Sequence, residues 1–193
     1  MTFKEIKNKL KYKTVGVAGA GGLGSNCAVA LARSGIGKLV IADFDIVSES
    51  NLNRQFYFYE QIGEIKVIAL KENIERINPN VKIEIHNIKI DKYNLIKIFS
   101  KCDIIVEAFD YAKEKMMLIE TVLSEIKKIP IVSGIGMAGY ENTASIKCRQ
   151  VDNLYICGDE KSEVSENNPP LAPRVGIVAN MQANTVIKIL LDE

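Results

Sequence analysis

One short run constrains this chain more than any other: Val15-Gly-Val-Ala-Gly-Ala-Gly-Gly-Leu-Gly-Ser-Asn-Cys27. It reads as a buried strand, a glycine turn and the opening of a helix. Gly19, Gly21 and Gly24 fit G-x-G-x-x-G, with Gly22 in the same turn. Such a turn lets backbone N–H groups approach a phosphate at the positive end of a helix. Asp43 follows Gly24 by 19 residues, the spacing of an acid that holds a nucleotide ribose. Alone, the motif implies only that a nucleotide binds, as redox cofactor or as substrate.

Hydrophobic periodicity extends the pattern. Strands are expected at 14–18, 38–43, 81–90, 103–108 and 129–133, and helices after the glycine turn and at 61–77, 91–100, 113–128 and 176–191. In the 113–128 helix, Met116, Ile119, Leu123 and Ile126 are expected to face inward. Alternating strands and helices imply a doubly wound, mainly parallel α/β sheet with helices on both faces, Rossmann-like. Strand candidates at 143–148 and 153–156 suggest a short antiparallel extension near the C-terminus. The 193 residues are read as one domain, 1–193. Residues 1–13 form an N-terminal helix, with Phe3, Ile6 and Leu10 at helical spacing, either packed on its own domain or acting as a dimer arm or lid. Residues 158–173, polar and proline-bearing, are expected to be a mobile loop.

Composition narrows the partners. A net charge of +1 offers no basic surface for nucleic acid. No apolar run approaches the roughly 18 residues of a membrane span, and no signal peptide is read before the first strand, so a cytoplasmic protein is expected. The four cysteines show no C-x-x-C pair, so no structural zinc is expected. Cys27 lies on an apolar helical stripe and reads as core. His86, the one histidine, falls on the polar face of its strand and reads as a surface residue.

Three groups fall at strand ends, where open α/β sheets bind ligands. The first is the glycine turn with Asp43 and Asp45. The second is Asn51, Asn53, Arg54 and Gln55, with Lys66 twelve residues beyond Arg54. The third is Asp110. Arg54 and Lys66 are cations able to neutralise a polyphosphate, and Asp110 is able to hold Mg²⁺. This set suits a nucleoside triphosphate better than a dinucleotide. On spacing alone, solvated surface charges and a helix-capping Asp110 remain equally open readings.

The ordered run Gly19-Ala-Gly-Gly-Leu-Gly24, Asp43-Phe-Asp45, Asn51-Leu-Asn-Arg-Gln55, Gly63-Glu-Ile-Lys-Val67, Ile77-Asn-Pro79, Asp110 and Val132-Ser-Gly134 resembles the ThiF/MoeB family. These enzymes adenylate ubiquitin-like sulfur carriers. The resemblance spans residues 14 to about 146, and the 173–183 segment looks like the family's closing helix. It implies that Gly21 and its neighbours lie against ATP, that Asp43 takes the ribose hydroxyls, and that Asn51, Arg54 and Gln55 hold phosphates. Lys66 neutralises them, and Asp110 supports Mg²⁺. It further implies a partner carrier ending in Gly-Gly, of the thiamine-pathway (ThiS) type, and a homodimer; charge and hydropathy together point to neither nucleic acid nor membrane as partner.

The chain departs from the family at Tyr111, where asparagine commonly follows the aspartate. No arginine precedes Arg33, although the family often supplies one across the dimer. Cys157, in Tyr155-Ile-Cys-Gly-Asp159, lies near where some relatives link the activated carrier, so it is a candidate covalent thiol or a half-buried structural one. Two other activities compete: a ThiF-like enzyme acting on a tRNA-linked carboxylate, and an NAD(P) oxidoreductase resting on Gly19, Gly21, Gly24 and Asp43 alone.

Overall fold

The computed structural model describes residues 1–126 and 128–192. Seven strands form one sheet: β1 (Thr14–Ala18), β2 (Lys38–Asp43), β3 (Lys82–Asn87), β4 (Ile104–Glu107), β5 (Ile131–Gly134), β6 (Lys147–Val151) and β7 (Leu154–Gly158), in the order β3-β2-β1-β4-β5-β7-β6. All neighbours are parallel except β6, which runs antiparallel to β7 at the edge. The expected doubly wound sheet and its antiparallel extension are both present. Strand order reverses between β1 and β4, so a crevice opens beyond the carboxyl ends of those two strands.

Among the described residues six α-helices cover the sheet: α1 (Phe3–Leu10), α2 (Gly22–Ser34), α3 (Lys66–Ile77), α4 (Lys92–Phe99), α5 (Ala112–Glu125) and α6 (Ala172–Asp192). Leu23, Cys27 and Leu31 of α2 share one apolar cluster with Leu70 and Ile74 of α3 and with Val178 and Val186 of α6. The opposite face is closed by Leu95 and Phe99 of α4 and by Leu118 and Val122 of α5. Helix α1 rests on its own domain through buried Leu10 and half-buried Ile6, while Phe3 stays exposed.

Three sequence expectations shift. The strand expected at 143–148 is a 3-10 turn over Thr143–Ser145, with β6 beginning at Lys147. In α5 the inward stripe is Leu118, Thr121 and Val122, and Met116 is 52% exposed. A helix with apolar residues all round offers two offset stripes of equal period, and only docking on β4 and β5 selects one. The part of that expected helix at residue 127 lies outside the described residues. The helix expected from 61 begins instead at Lys66. Gly63 takes a left-handed backbone (φ +92°) and breaks the run, and the Lys66 amide then donates to the Asp45 carbonyl at 2.9 Å. Lys66 is thereby brought to a helix N-terminus beside the end of β2.

The 158–173 segment is tied to the turn after β5. The Gly139 amide donates to the Pro169 carbonyl at 2.9 Å, and Ala138 bridges Pro170. Arg174, at the start of α6, pairs with Asp159 at 2.5 Å while both side chains are almost fully buried.

Candidate functional site

A cleft of about 210 Å³ opens at the carboxyl ends of β1, β2 and β4. Gly19, Gly21, Asp43, Asp45, Lys66 and Asp110 line it, together with Phe44, Ile88, Ile90 and Tyr111. Residues as far apart in the chain as Gly19 and Tyr111 are therefore gathered by the strand order alone. Acidic groups and Lys66 stand near the glycine turn, and the segment after β3 adds Ile88, Lys89 and Ile90.

The turn depends on two of its glycines. Gly19 has φ +100°, and an added Cβ would lie 2.6 Å from the Ala108 carbonyl oxygen. At Gly24 an added Cβ would strike the Gly19 carbonyl, so α2 can begin this close to β1 only without a side chain there. Gly21 differs: its added Cβ would meet nothing nearer than 3.8 Å, at Asp110 Oδ1 and Gln55 Nε2. Gly21 thus faces open space between those two side chains.

Asp43 accepts hydrogen bonds from the Ala20 amide (2.6 Å) and the Asp45 amide (2.8 Å). Burial raises its pKa, against the lowering effect of those two amides and of Lys66. Its carboxylate therefore holds the glycine turn to the end of β2 as well as facing the cleft. Lys66, with a side chain only 5% exposed, reaches Asp45 Oδ2 at 2.9 Å.

The Asn51–Gln55 segment wraps the turn from outside. Asn26 Nδ2 donates to the Arg54 carbonyl at 2.9 Å, the Phe56 amide donates to Ser25 Oγ at 3.0 Å, and the buried Tyr57 hydroxyl donates to the Ala20 carbonyl at 2.7 Å. Asn51 accepts from the Ser48 amide, and Asn53 donates to the Pro170 carbonyl. Arg54 lies beside Gly22, but its guanidinium donates to Ser50 O and Asn53 Oδ1. Gln55 is buried, and its Oε1 has no protein partner. An unsatisfied buried amide oxygen costs about 1–3 kcal/mol, and here it belongs to one of the two side chains that flank Gly21.

The donor set suits an ion carried in on phosphates. Among the described residues no three His, Cys, Asp or Glu side chains converge as a metal cage. Mg²⁺, however, needs only one or two carboxylates when polyphosphate oxygens and water supply the rest, and Asp110 in the cleft provides one.

Sequence reasoning missed the support beneath Asp110. Glu107, fully buried at the end of β4, accepts from the Phe109 amide (2.7 Å), from Lys115 Nζ (3.1 and 3.0 Å) and from Ser133 Oγ (2.6 Å). Gln182 of α6 donates to the carbonyls of Glu107 and Val132. This network sets the turn that carries Asp110. A charged residue closing a buried strand was the available signal. His86 lies on β3 and pairs with Glu84 at 2.8 Å, outside the cleft lining.

Cys157 is fully buried on β7 and is not part of the cleft lining. Burial, then the neighbouring Cys148 thiol, pushes its pKa up to about 12. A covalent link to a carrier requires a thiolate that a macromolecule can reach, and this geometry does not supply one.

The ThiF family model matches residues 2–193. The chain is 33% identical over 193 residues to a probable molybdopterin-synthase adenylyltransferase of Porphyra purpurea, covering 97% of this chain and 50% of that protein. It is 31% identical over 215 residues to ubiquitin-like modifier-activating enzyme 5 of Xenopus laevis, covering 100% of this chain and 54% of that one. The chain spans about half the length of these curated relatives. Among solved structures, an E. coli tRNA N6-threonylcarbamoyladenosine dehydratase in complex with ATP superposes with a TM-score of 0.88 at 20% identity, covering 98% of this chain and 90% of that one. At that identity the likeness is one of fold.

Proposed function

The chain belongs to the ThiF family, and on that premise we propose that it is an ATP-dependent adenylyltransferase. Its substrate in this reading is the C-terminal carboxylate of a small ubiquitin-like sulfur carrier ending in Gly-Gly, of the thiamine-pathway (ThiS) type. The single observation carrying the reading is Gly21, which faces open space between Gln55 and Asp110 in a cleft that also holds Asp43 and Lys66. The curated relatives named adenylyltransferase and modifier-activating enzyme support the reaction class, and the ATP complex of the dehydratase supports the nucleotide.

The chemistry needs no general base. A carrier carboxylate is already an anion at neutral pH. Its oxygen attacks the α-phosphorus, the bond from that phosphorus to the α–β bridging oxygen breaks, and pyrophosphate leaves with the electron pair. Catalysis is then positioning and neutralisation of charge. In this assignment the glycine turn seats the phosphates on the α2 N-terminus, Asp43 takes the ribose, Lys66 neutralises phosphate charge, and Gln55 orients beside Gly21. Asp110 would hold Mg²⁺, whose contribution when bound is to spread the charge of the phosphates. Asn51 acts through the loop that encloses the turn, and Arg54 reaches the phosphates after rotating away from Ser50 and Asn53. A homodimer belongs to the same proposal.

The test is carrier-dependent ATP–pyrophosphate exchange, with thiamine-type and molybdopterin-type carriers assayed side by side. Exchange with neither overturns the activity; exchange with only the second reassigns the carrier. The fold neighbour's name brings a second substrate, a tRNA-linked carboxylate. ATP consumption stimulated by tRNA and not by a carrier would select it, although the net charge of +1 offers no general phosphate-binding surface. Tight NADH binding without ATP binding would select the oxidoreductase reading.

A further inference from the structure

None of the four cysteines lines the nucleotide cleft; Cys27 and Cys102 lie in the apolar core, and Cys148 and Cys157 adjoin one another. They lie directly opposite one another in the antiparallel pair of β6 and β7. Their sulfurs are 3.6 Å apart, and Thr185 Oγ1 of α6 sits 3.6 Å from the first and 3.8 Å from the second.

The hydrogen-bond pattern settles which kind of cross-strand pair this is. The Ile135 amide donates to the Cys157 carbonyl at 2.9 Å, so the Cys157 backbone groups face β5. They therefore point away from β6. Cys148 and Cys157 form a non-hydrogen-bonded pair, the type in which opposed Cα atoms approach to about 4.5 Å and side chains lie closest. Disulfides span Cα separations of about 4.4–6.8 Å. The backbone is already placed for a bridge, and closing the remaining gap between the sulfurs needs only side-chain rotation.

We infer that Cys148 and Cys157 are a redox-modifiable pair that closes to an intrachain disulfide under peroxide, with Cys148 oxidised first and Cys157 resolving. The order follows from access. Every residue of β6 is exposed, Cys148 included, whereas Cys157 is buried behind it. The Cys148 thiolate attacks a peroxide oxygen: an S–O bond forms, the O–O bond breaks, and the departing hydroxide takes a proton to become water. The Cys157 sulfur, releasing its proton, then attacks the Cys148 sulfenic sulfur. The S–S bond forms, the S–O bond breaks, and a second water leaves. Two thiols lose two electrons, and one hydrogen peroxide becomes two waters. The raised pKa of Cys157 makes it a slow nucleophile toward solutes, and its adjacency to Cys148 offsets that. This inference is independent of the nucleotide reading.

The test is peptide mapping of the intact folded protein after hydrogen peroxide, followed by alkylation under denaturant. Cleavage after glutamate places both cysteines in one peptide, 142–160. That peptide should become two hydrogens lighter and refuse alkylation, while buried Cys27 and Cys102 are still alkylated. Three results overturn the inference: two alkylatable thiols remaining in the peptide, a Cys148 sulfinic acid beside reduced Cys157, or a link from Cys27 to Cys157. In Cys157→Ser, a dimedone adduct should accumulate on Cys148; its absence overturns the assigned order. In Cys148→Ser, Cys157 should stay reduced, and oxidation at the wild-type rate overturns that order as well.

Discussion

Lys66 Nζ lies 2.9 Å from Asp45 Oδ2, a nearly buried ammonium against a half-exposed carboxylate. The cation is thus stored at the cleft on a partner that water can solvate when it lets go. On the proposed assignment, phosphate arriving at Lys66 replaces that carboxylate, and Asp45 loses little by turning outward. Lys66→Met should therefore fold, since Asp45 is left at the surface, while kcat/KM in pyrophosphate exchange falls by about 100-fold or more. Lys66→Arg should not restore it, because the planar guanidinium is larger and lacks the compact charge. Unchanged exchange in Lys66→Met would remove the lysine from the reaction.

Gly21 and Gly24 should separate binding from folding. Gly21→Ala adds a methyl with no atom nearer than 3.8 Å, so its melting temperature should stay within a few degrees of wild type. The methyl projects between Gln55 and Asp110, and the Kd for ATP by calorimetry should rise at least tenfold. Gly24→Ala drives a methyl into the Gly19 carbonyl and should cost about 1–3 kcal/mol by chemical denaturation. Equal stability losses in the two variants would contradict this reading of the turn.

Asp110→Ala should keep ATP binding within a few-fold of wild type and lower exchange by roughly 100- to 1,000-fold. Its carboxylate lines the cleft, but it is not among the partners of the buried Glu107 network. Circular dichroism and thermal melts should be unchanged. Undiminished exchange would remove Asp110 from the reaction.

Asp159 should give an acid-labile contribution to stability. Burial raises its pKa, but the amides of Ser162 and Lys161 and the Arg174 guanidinium outweigh burial and hold it at about 2. Its folded value lies below the unfolded value of about 3.9. The contribution is therefore complete above about pH 5, amounts to roughly 2 kcal/mol, and is lost progressively as pH falls from there through about 2. Asp159→Asn, which leaves Arg174 buried without its anion, should be destabilised by about 3 kcal/mol at pH 7. Denaturation at a series of pH values should show the gap to wild type narrowing between pH 5 and 2; a constant gap would refute the linkage.

Much of the architecture was legible from local pattern. The glycine turn, the buried runs at 38–43 and 103–108 and the helix after Asp91 follow from residue order, because strand and helix periodicities are local. Where local pattern permitted two answers, only packing chose. Leu118 and Val122 displaced Met116 and Leu123 as the inner stripe of α5, and Gly63 delayed α3 until Lys66 stood beside Asp45.

What the sequence by itself determined is the set of groups able to hold a nucleotide and the sheet on whose rim they stand. The glycine spacing, Asp43, Lys66 and Asp110 carry their chemistry in their residue types. The tertiary structure decided which of them meet. The order β3-β2-β1-β4 brings Asp43, Lys66 and Asp110 to one cleft, while Asn51, Asn53 and Arg54 are turned into bonds that enclose the glycine turn. It also moved Cys157 from a candidate at a loop's head to a buried partner of Cys148. The physical reason is common to all of these. A side chain's chemistry belongs to one residue, but its burial and its neighbours belong to strand order, which brings together residues that are far apart in the chain.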